Sequence, residues 1–154
     1  MLTWAEAIEA SPLGVLIRQS TWAFALGEVV HLFGLTLVLG TTIVLNLRLF
    51  GWGLREQSPR TVAADLRTWN AIGLALSVCS GIVLSISEAV KLAGSPPFAI
   101  KMALFAMAVA YTAAVHGRVA QRSLTPGFWE RTSAAISLAL WFGVATAGRA
   151  IAFY

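Results

Sequence analysis

Four apolar stretches, at about residues 22–50, 68–92, 98–120 and 130–153, are each long enough to cross a hydrocarbon core, which takes about 20 helical residues. Nothing else in the chain constrains its fold as strongly. Only 12% of the 154 residues are charged and 58% are hydrophobic, where a soluble domain carries about a quarter charged residues. The sequence therefore predicts an all-α integral membrane protein, one transmembrane domain over residues 1–154 whose main partner is the lipid bilayer. The N-terminus has no basic region followed by a short apolar core and a small-residue cleavage site, so no signal peptide is expected.

The breaks between the stretches have local causes. Ser58-Pro59, Ser95-Pro96 and Thr125-Pro126 each set a capping hydroxyl before a proline suited to a first helical turn. The second helix is expected to start near Pro59 and to run in water through Arg60, Asp65 and Arg67 before entering lipid. In the segment 1–20, Ser11-Pro12 opens a short helix carrying Leu13, Leu16 and Ile17, and the helical pieces there are too short to cross, so they are expected to lie in the interface. Short connections make neighbouring spans antiparallel, an up-down four-helix bundle with short N-terminal interfacial helices. Arg48, Arg55, Arg60, Arg67, Arg118, Arg122 and Arg131 fall on one side; Arg18, Lys91, Lys101 and Arg149 fall on the other. By the positive-inside rule the arginine-rich side faces the cytoplasm, which implies a multi-pass protein of the inner (cell) membrane with both termini outside. The net charge of +4 thus reads as membrane flanks rather than as a nucleic-acid surface. Cys79 is the only cysteine, which excludes an internal disulfide and any cysteine-rich metal site.

Five ionisable residues lie inside the apolar helices: Glu28, His31, Glu88, Lys101 and Arg149. Each costs roughly 3 kcal/mol on insertion scales unless paired or hydrated. Counted from the outer helix ends at about 1.5 Å per residue, Lys101 and Arg149 lie roughly 5 Å deep, Glu88 about 7 Å, Glu28 about 9 Å and His31 about 13 Å. At about 100° per residue, Glu28, His31, Leu35 and Thr42 share a face of the first span. Asn70, Ser77, Gly81, Leu84 and Glu88 form a stripe of small and polar residues on the second, of the kind that faces other helices. Lys101, Phe105, Ala108 and Thr112 align on the third span, and Leu138, Phe142 and Arg149 on the fourth, so each span is expected to offer a polar residue to a common outer cavity. A ligand-free cluster of ion pairs would account for Lys101, Arg149, Glu28 and Glu88, since long cationic side chains near helix ends snorkel to the headgroups. His31 is too deep and too short for that and needs a partner.

Glu28-x-x-His31 has the helical spacing of di-iron carboxylate bundles, but a second Glu-x-x-His and further glutamates are missing. One histidine, one cysteine, Met102 and Met107 are a thin donor set for a mononuclear zinc or copper site. A b-type haem suits the residues better, with His31 as metal ligand, Glu28 as its hydrogen-bond partner, and Lys101 and Arg149 as anchors for the propionates. Glu88 completes the polar lining, and Met107, at almost the depth of His31, offers a thioether as sixth ligand. His116 lies roughly 15 Å away along the membrane normal, too far to share one iron with His31, and is expected at the inner interface beside Arg118 and Arg122.

His31-x-x-Gly34-x5-Gly40-x7-Arg48, followed by Leu49-Phe50, resembles the opening helix of HemJ-type protoporphyrinogen oxidases and the related CopD-like membrane proteins. Lys101-Met102-Ala103-Leu104, continuing to Ala110-Tyr111, resembles their lysine-bearing third helix. With its closing Ala147-Gly148-Arg149-Ala150-Ile151-Ala152, the chain looks most like an uncharacterised bacterial family of small four-span proteins in that neighbourhood. The resemblance implies haem b, with functional roles at His31 and Lys101. The Ala-Tyr and His-Gly pairs of the third helix stand four residues apart and the fourth helix differs from the HemJ type, so it implies the haem-binding bundle rather than porphyrinogen oxidation.

The leading expectation is a b-haem-binding membrane protein with a redox or electron-transfer role. A non-enzymatic accessory or assembly subunit, bound to other membrane subunits or to copies of itself, is the alternative. A small metal or anion transporter is a third, weakened by the lack of a visible inverted repeat.

Overall fold

The structure, a computed structural model, describes residues 3–153, and every regular element among them is helical. Two short helices, α1 (Thr3–Glu9) and α2 (Pro12–Gln19), precede the first long helix, α3 (Thr21–Phe50). The second long helix, α4 (Pro59–Ser87), is followed by a single turn, α5 (Ala89–Ala93). The third span consists of α6 (Pro96–Tyr111), a π-helical turn at Thr112–His116, and α7 (Gly117–Arg122). The fourth, α8 (Phe128–Ala150), ends in a 3-10 turn at Ile151–Phe153. All four spans are long and apolar enough to cross a membrane, and the fold is a four-helix membrane bundle.

The caps explain most boundaries. Ser20, Ser58 and Ser95 accept hydrogen bonds from Ala23, Thr61 and Phe98 amides, and Pro59 and Pro96 occupy the first turns that follow. At the other end of α3, Gly51 takes φ +86°, and the Trp52 amide reaches back to the Leu47 carbonyl, closing a helix terminus that favours glycine. Arg48, buried at that end, donates from Nε to the Gln57 carbonyl at 2.5 Å and holds the connection to α4. Thr125-Pro126 does not open the fourth span. Ser123 Oγ bonds the Thr125 carbonyl at 2.8 Å, and the helix begins at Phe128, where the Glu130 carboxylate accepts the Gly127 amide at 2.9 Å.

The second span is broken rather than continuous to residue 92. Ser85 and Ser87 hydroxyls bond back to the Gly81 and Leu84 carbonyls, an alternative to the helical ladder, and α4 stops there. The Val90 amide in the first turn of α5 donates instead to the Glu9 carboxylate at 3.0 Å, while Glu9 also pairs with Arg18. Residues 3–19 are thereby folded back onto this end of the bundle, α1 against α5 and α2 against α3 and α4.

The closest helix pair is α3 with α4, and glycines make it possible. A Cβ on Gly34 would lie 2.7 Å from Ser77 N, and one on Gly73 would lie 2.7 Å from the Leu37 Cβ. Such small-residue contacts are how membrane helices gain van der Waals packing without a hydrophobic drive between them. The other main pair is α6 with α8, and α3 joins the two pairs by packing on α8. The mid-bundle core is Val38, Ala108, Trp141 and Val144, with the Phe105 and Trp141 rings edge to face at 6.2 Å. Among the described residues, α4 packs against the third span at α7.

Candidate functional site

His31 is half-buried on the α3 face that meets α4. Its ring lies flat enough against the second span that a Cβ on Gly81 would sit 3.2 Å from its Cε1. Nδ1 is 3.0 Å from the Ser77 carbonyl oxygen and 3.1 Å from Ser80 Oγ, whose own hydroxyl donates to the Leu76 carbonyl at 2.5 Å. A carbonyl only accepts, so Nδ1 carries the proton and donates it. The neutral ring then has its lone pair on Nε2, for which no hydrogen bond is found among the described residues.

The Ser77 carbonyl thus takes the place expected of Glu28. The glutamate sits one turn away on the same helix, is exposed, and forms no hydrogen bond or ion pair among the described residues. Its distance from the site has a steric cause. The His31 ring is drawn across the helix interface by the gap at Gly81, and Glu28 stays on a stretch that otherwise exposes Leu26, Val29 and Leu32.

Lys101, also expected at the site, is half-buried, and its stem reaches α8, where a Cβ on Gly148 would lie 3.5 Å from its Cε. Along α6, the residues aligned with Lys101 all turn to α8: Ala108 is fully buried, Phe105 meets Trp141, and Thr112 Oγ1 accepts from Trp141 Nε1 at 3.3 Å.

The remaining members do not converge. Arg149 is exposed, its guanidinium 5.6 Å from the Phe153 ring centroid, and Phe142 is 53% exposed. The buried face of α8 is instead Ser133, Ala134, Ser137, Trp141 and Val144. Three small residues, Ser133, Ala134 and Ser137, admit close neighbours around one large anchor, Trp141, and the face they define is rotated away from Leu138, Phe142 and Arg149. Met107 is 51% exposed and turned from the core. Glu88 forms the junction between α4 and α5, with no side-chain capping bond. The only ion pair among the described residues is Arg18–Glu9, so the embedded charges do not neutralise one another. No group of three or more His, Cys, Asp or Glu side chains that could hold a metal is found among the described residues.

A second polar cluster lies nearer the arginine-rich end. His116 is 2% exposed, not at an interface beside Arg118 and Arg122. The π-helical turn it closes inserts an extra residue into the third span, which rotates the imidazole inward. Its Nδ1 is 3.0 Å from Ser133 Oγ, which the Tyr111 hydroxyl also reaches at 3.1 Å. One turn along α8, Ser137 Oγ accepts from Asn46 Nδ2 at 3.4 Å. Ser133 and Ser137 looked like ordinary small residues in the sequence; only the paired helix shows them as the acceptors of buried groups.

Together these features define a small polytopic membrane protein with one histidine held across its tightest helix pair. The chain belongs to a family of unknown function, DUF6644, whose model matches residues 1–154. No curated protein and no solved structure matches it. The comparisons do not show the likeness to HemJ-type and CopD-like proteins expected from the first- and third-span residues.

Proposed function

We propose that this chain is a b-haem-binding membrane protein with a redox or electron-transfer role, its cofactor in the half of the bundle that carries His31. The observation that carries the reading is the hydrogen bond from His31 Nδ1 to the Ser77 carbonyl. A metal-ligating histidine almost always donates its other ring N–H to a carbonyl or carboxylate, which fixes the tautomer and raises the basicity of the free nitrogen. His31 Nε2 would be the axial ligand. Ser77 and Ser80 hold the ring, and Gly81 leaves room for it. Lys101, half-buried, would supply positive charge for a propionate, and Arg149 is a second cation at the same end. When bound, haem b supplies one-electron chemistry at its iron. The excess of arginines at the opposite end supports placing that end in the cytoplasm and both termini outside the cell membrane.

Purification of the wild type and His31→Ala from haem-supplied cells tests the reading. A Soret band and extractable haem b in the wild type, lost in the variant, are the expected results. A wild type without extractable haem rejects it.

A second reading, an accessory subunit, is favoured by Glu28. An exposed carboxylate within an apolar span, without an ion pair among the described residues, is costly in lipid and suits a partner helix that brings a cation. Co-purification of a stoichiometric membrane partner that Glu28→Ala abolishes would support it.

A further inference from the structure

The arginine-rich end carries a feature with no part in the His31 site. A surface cavity of about 610 Å³ lies between α4 and α7, lined by Arg60, Ala64, Arg67, Gln121 and Arg122. A shallow, open groove on the exposed face of α4 alone continues past Thr68, Ala71, Ile72 and Ala75, and shares Ala64 and Arg67 with the cavity. The frame is fixed, because the Arg60 amide donates to the Ser123 carbonyl at 3.3 Å and so ties the start of α4 to the end of α7. None of the three arginines pairs with a carboxylate among the described residues.

We propose that this is a binding site for an anionic phospholipid. Guanidinium groups at Arg60, Arg67 and Arg122 present planar, fixed-charge donors that match phosphate oxygens, and Gln121 adds an uncharged amide donor. Basic pockets between membrane helices are suited to anionic headgroups. The groove decides between lipid and free phosphate. It runs from the charged cavity along a helix that is apolar enough to span the membrane, and alanines at 64, 71 and 75 make a small-residue strip along which an acyl chain can lie. A free anion would use the cavity and have no use for the groove.

The test uses the whole chain in neutral detergent, with phosphatidylglycerol or phosphatidylcholine added and bound lipid counted by native mass spectrometry. The wild type should retain phosphatidylglycerol over phosphatidylcholine. The triple variant Arg60→Gln/Arg67→Gln/Arg122→Gln should lose about tenfold or more of that retention. The charge-matched control Arg55→Gln/Arg118→Gln/Arg131→Gln should keep it. Ala71→Trp, which fills the groove and leaves the arginines in place, should weaken lipid binding without weakening binding of inorganic phosphate. Equal retention of the two lipids by the wild type overturns the proposal, and this readout requires no variant to fold. Equal loss in both triple variants also overturns it. Phosphatidylglycerol retention unaffected by Ala71→Trp would show that no acyl chain lies along α4 and overturn it as well.

Discussion

The Nδ1 of His31 lies 3.0 Å from the carbonyl oxygen of Ser77, a partner on the neighbouring span rather than the glutamate one turn away on its own. A backbone carbonyl cannot be protonated or moved without moving its helix, so it fixes the ring's tautomer and direction more firmly than an exposed carboxylate would. The α3–α4 contact and the chemistry of His31 are therefore coupled.

Gly81→Leu should separate that coupling from the histidine itself. A Cβ there already meets the ring at 3.2 Å, and the larger side chain must push the imidazole from the Ser77 carbonyl. Haem recovery should fall to the level of His31→Ala, although the histidine is still present. Ser80→Ala removes only the second of two partners and should weaken retention about tenfold, the low end for outer partners of a metal ligand. Haemochrome spectra of the purified variants provide the measurement.

The glycines of α3 and α4 should differ sharply in their tolerance of alanine. Gly73→Ala would place its Cβ 2.7 Å from Leu37 Cβ and 2.9 Å from the Gly34 carbonyl, and overpacking of this kind costs about 1–3 kcal/mol. A Cβ at Gly40 meets nothing within 4 Å, so Gly40→Ala should be neutral or stabilise by up to about 1 kcal/mol. Unfolding in detergent followed by tryptophan fluorescence gives both numbers. Equal effects at the two positions would contradict the close approach of the helices.

Span number and helix type were legible in the sequence because apolar length and serine-proline caps act locally. The α4 stripe was legible too. Ser77 is buried, Gly81 meets His31, Leu84 packs beside Gly27, and Asn70 donates to Thr41 Oγ1 at 2.8 Å. The α8 face was not. The periodicity of about 100° per residue aligns Arg149 with Leu138 and Phe142, whereas orientation is decided by which residues let a neighbour approach, here Ser133, Ala134 and Ser137 around Trp141. Nor was the inward turn of His116, since a π-helical turn shifts the phase of every residue after it and leaves no mark in the hydrophobic pattern. The Glu9–Val90 contact, 81 residues apart in sequence, is a tertiary fact that no local rule reaches.

Ser133 should prove the most sensitive small residue of α8. Its hydroxyl meets both His116 Nδ1 and the Tyr111 phenol, all within the bundle. Ser133→Ala would strip the hydroxyl partner from buried His116, at about 1–3 kcal/mol for a buried group left unsatisfied, while the Tyr111 phenol still reaches the Ser133 carbonyl at 3.5 Å. Adding His116→Leu removes that buried group altogether. The double variant should accordingly lose less than the sum of the two single variants, and detergent unfolding of all three measures the difference. Strict additivity would mean that His116 draws nothing from Ser133.

Glu9 should control the docking of the short N-terminal helices more than the stability of the bundle. Its carboxylate accepts the Val90 amide at 3.0 Å and pairs with Arg18, whose side chain is half exposed. Exposed ion pairs contribute about 0–1 kcal/mol, so Glu9→Ala should scarcely change global unfolding. The Val90 amide, in contrast, sits in the first turn of α5, where no intrahelical acceptor exists, and depends on that carboxylate for its bond. Hydrogen exchange at Val90 and through α1 should accelerate in Glu9→Ala, with the amides of α3 and α8 unchanged. Arg18→Ala keeps the Val90 contact and should accelerate α1 and α2 while leaving Val90 protected. If both variants exposed Val90 equally, the ion pair rather than the amide contact would be holding residues 3–19 against α5.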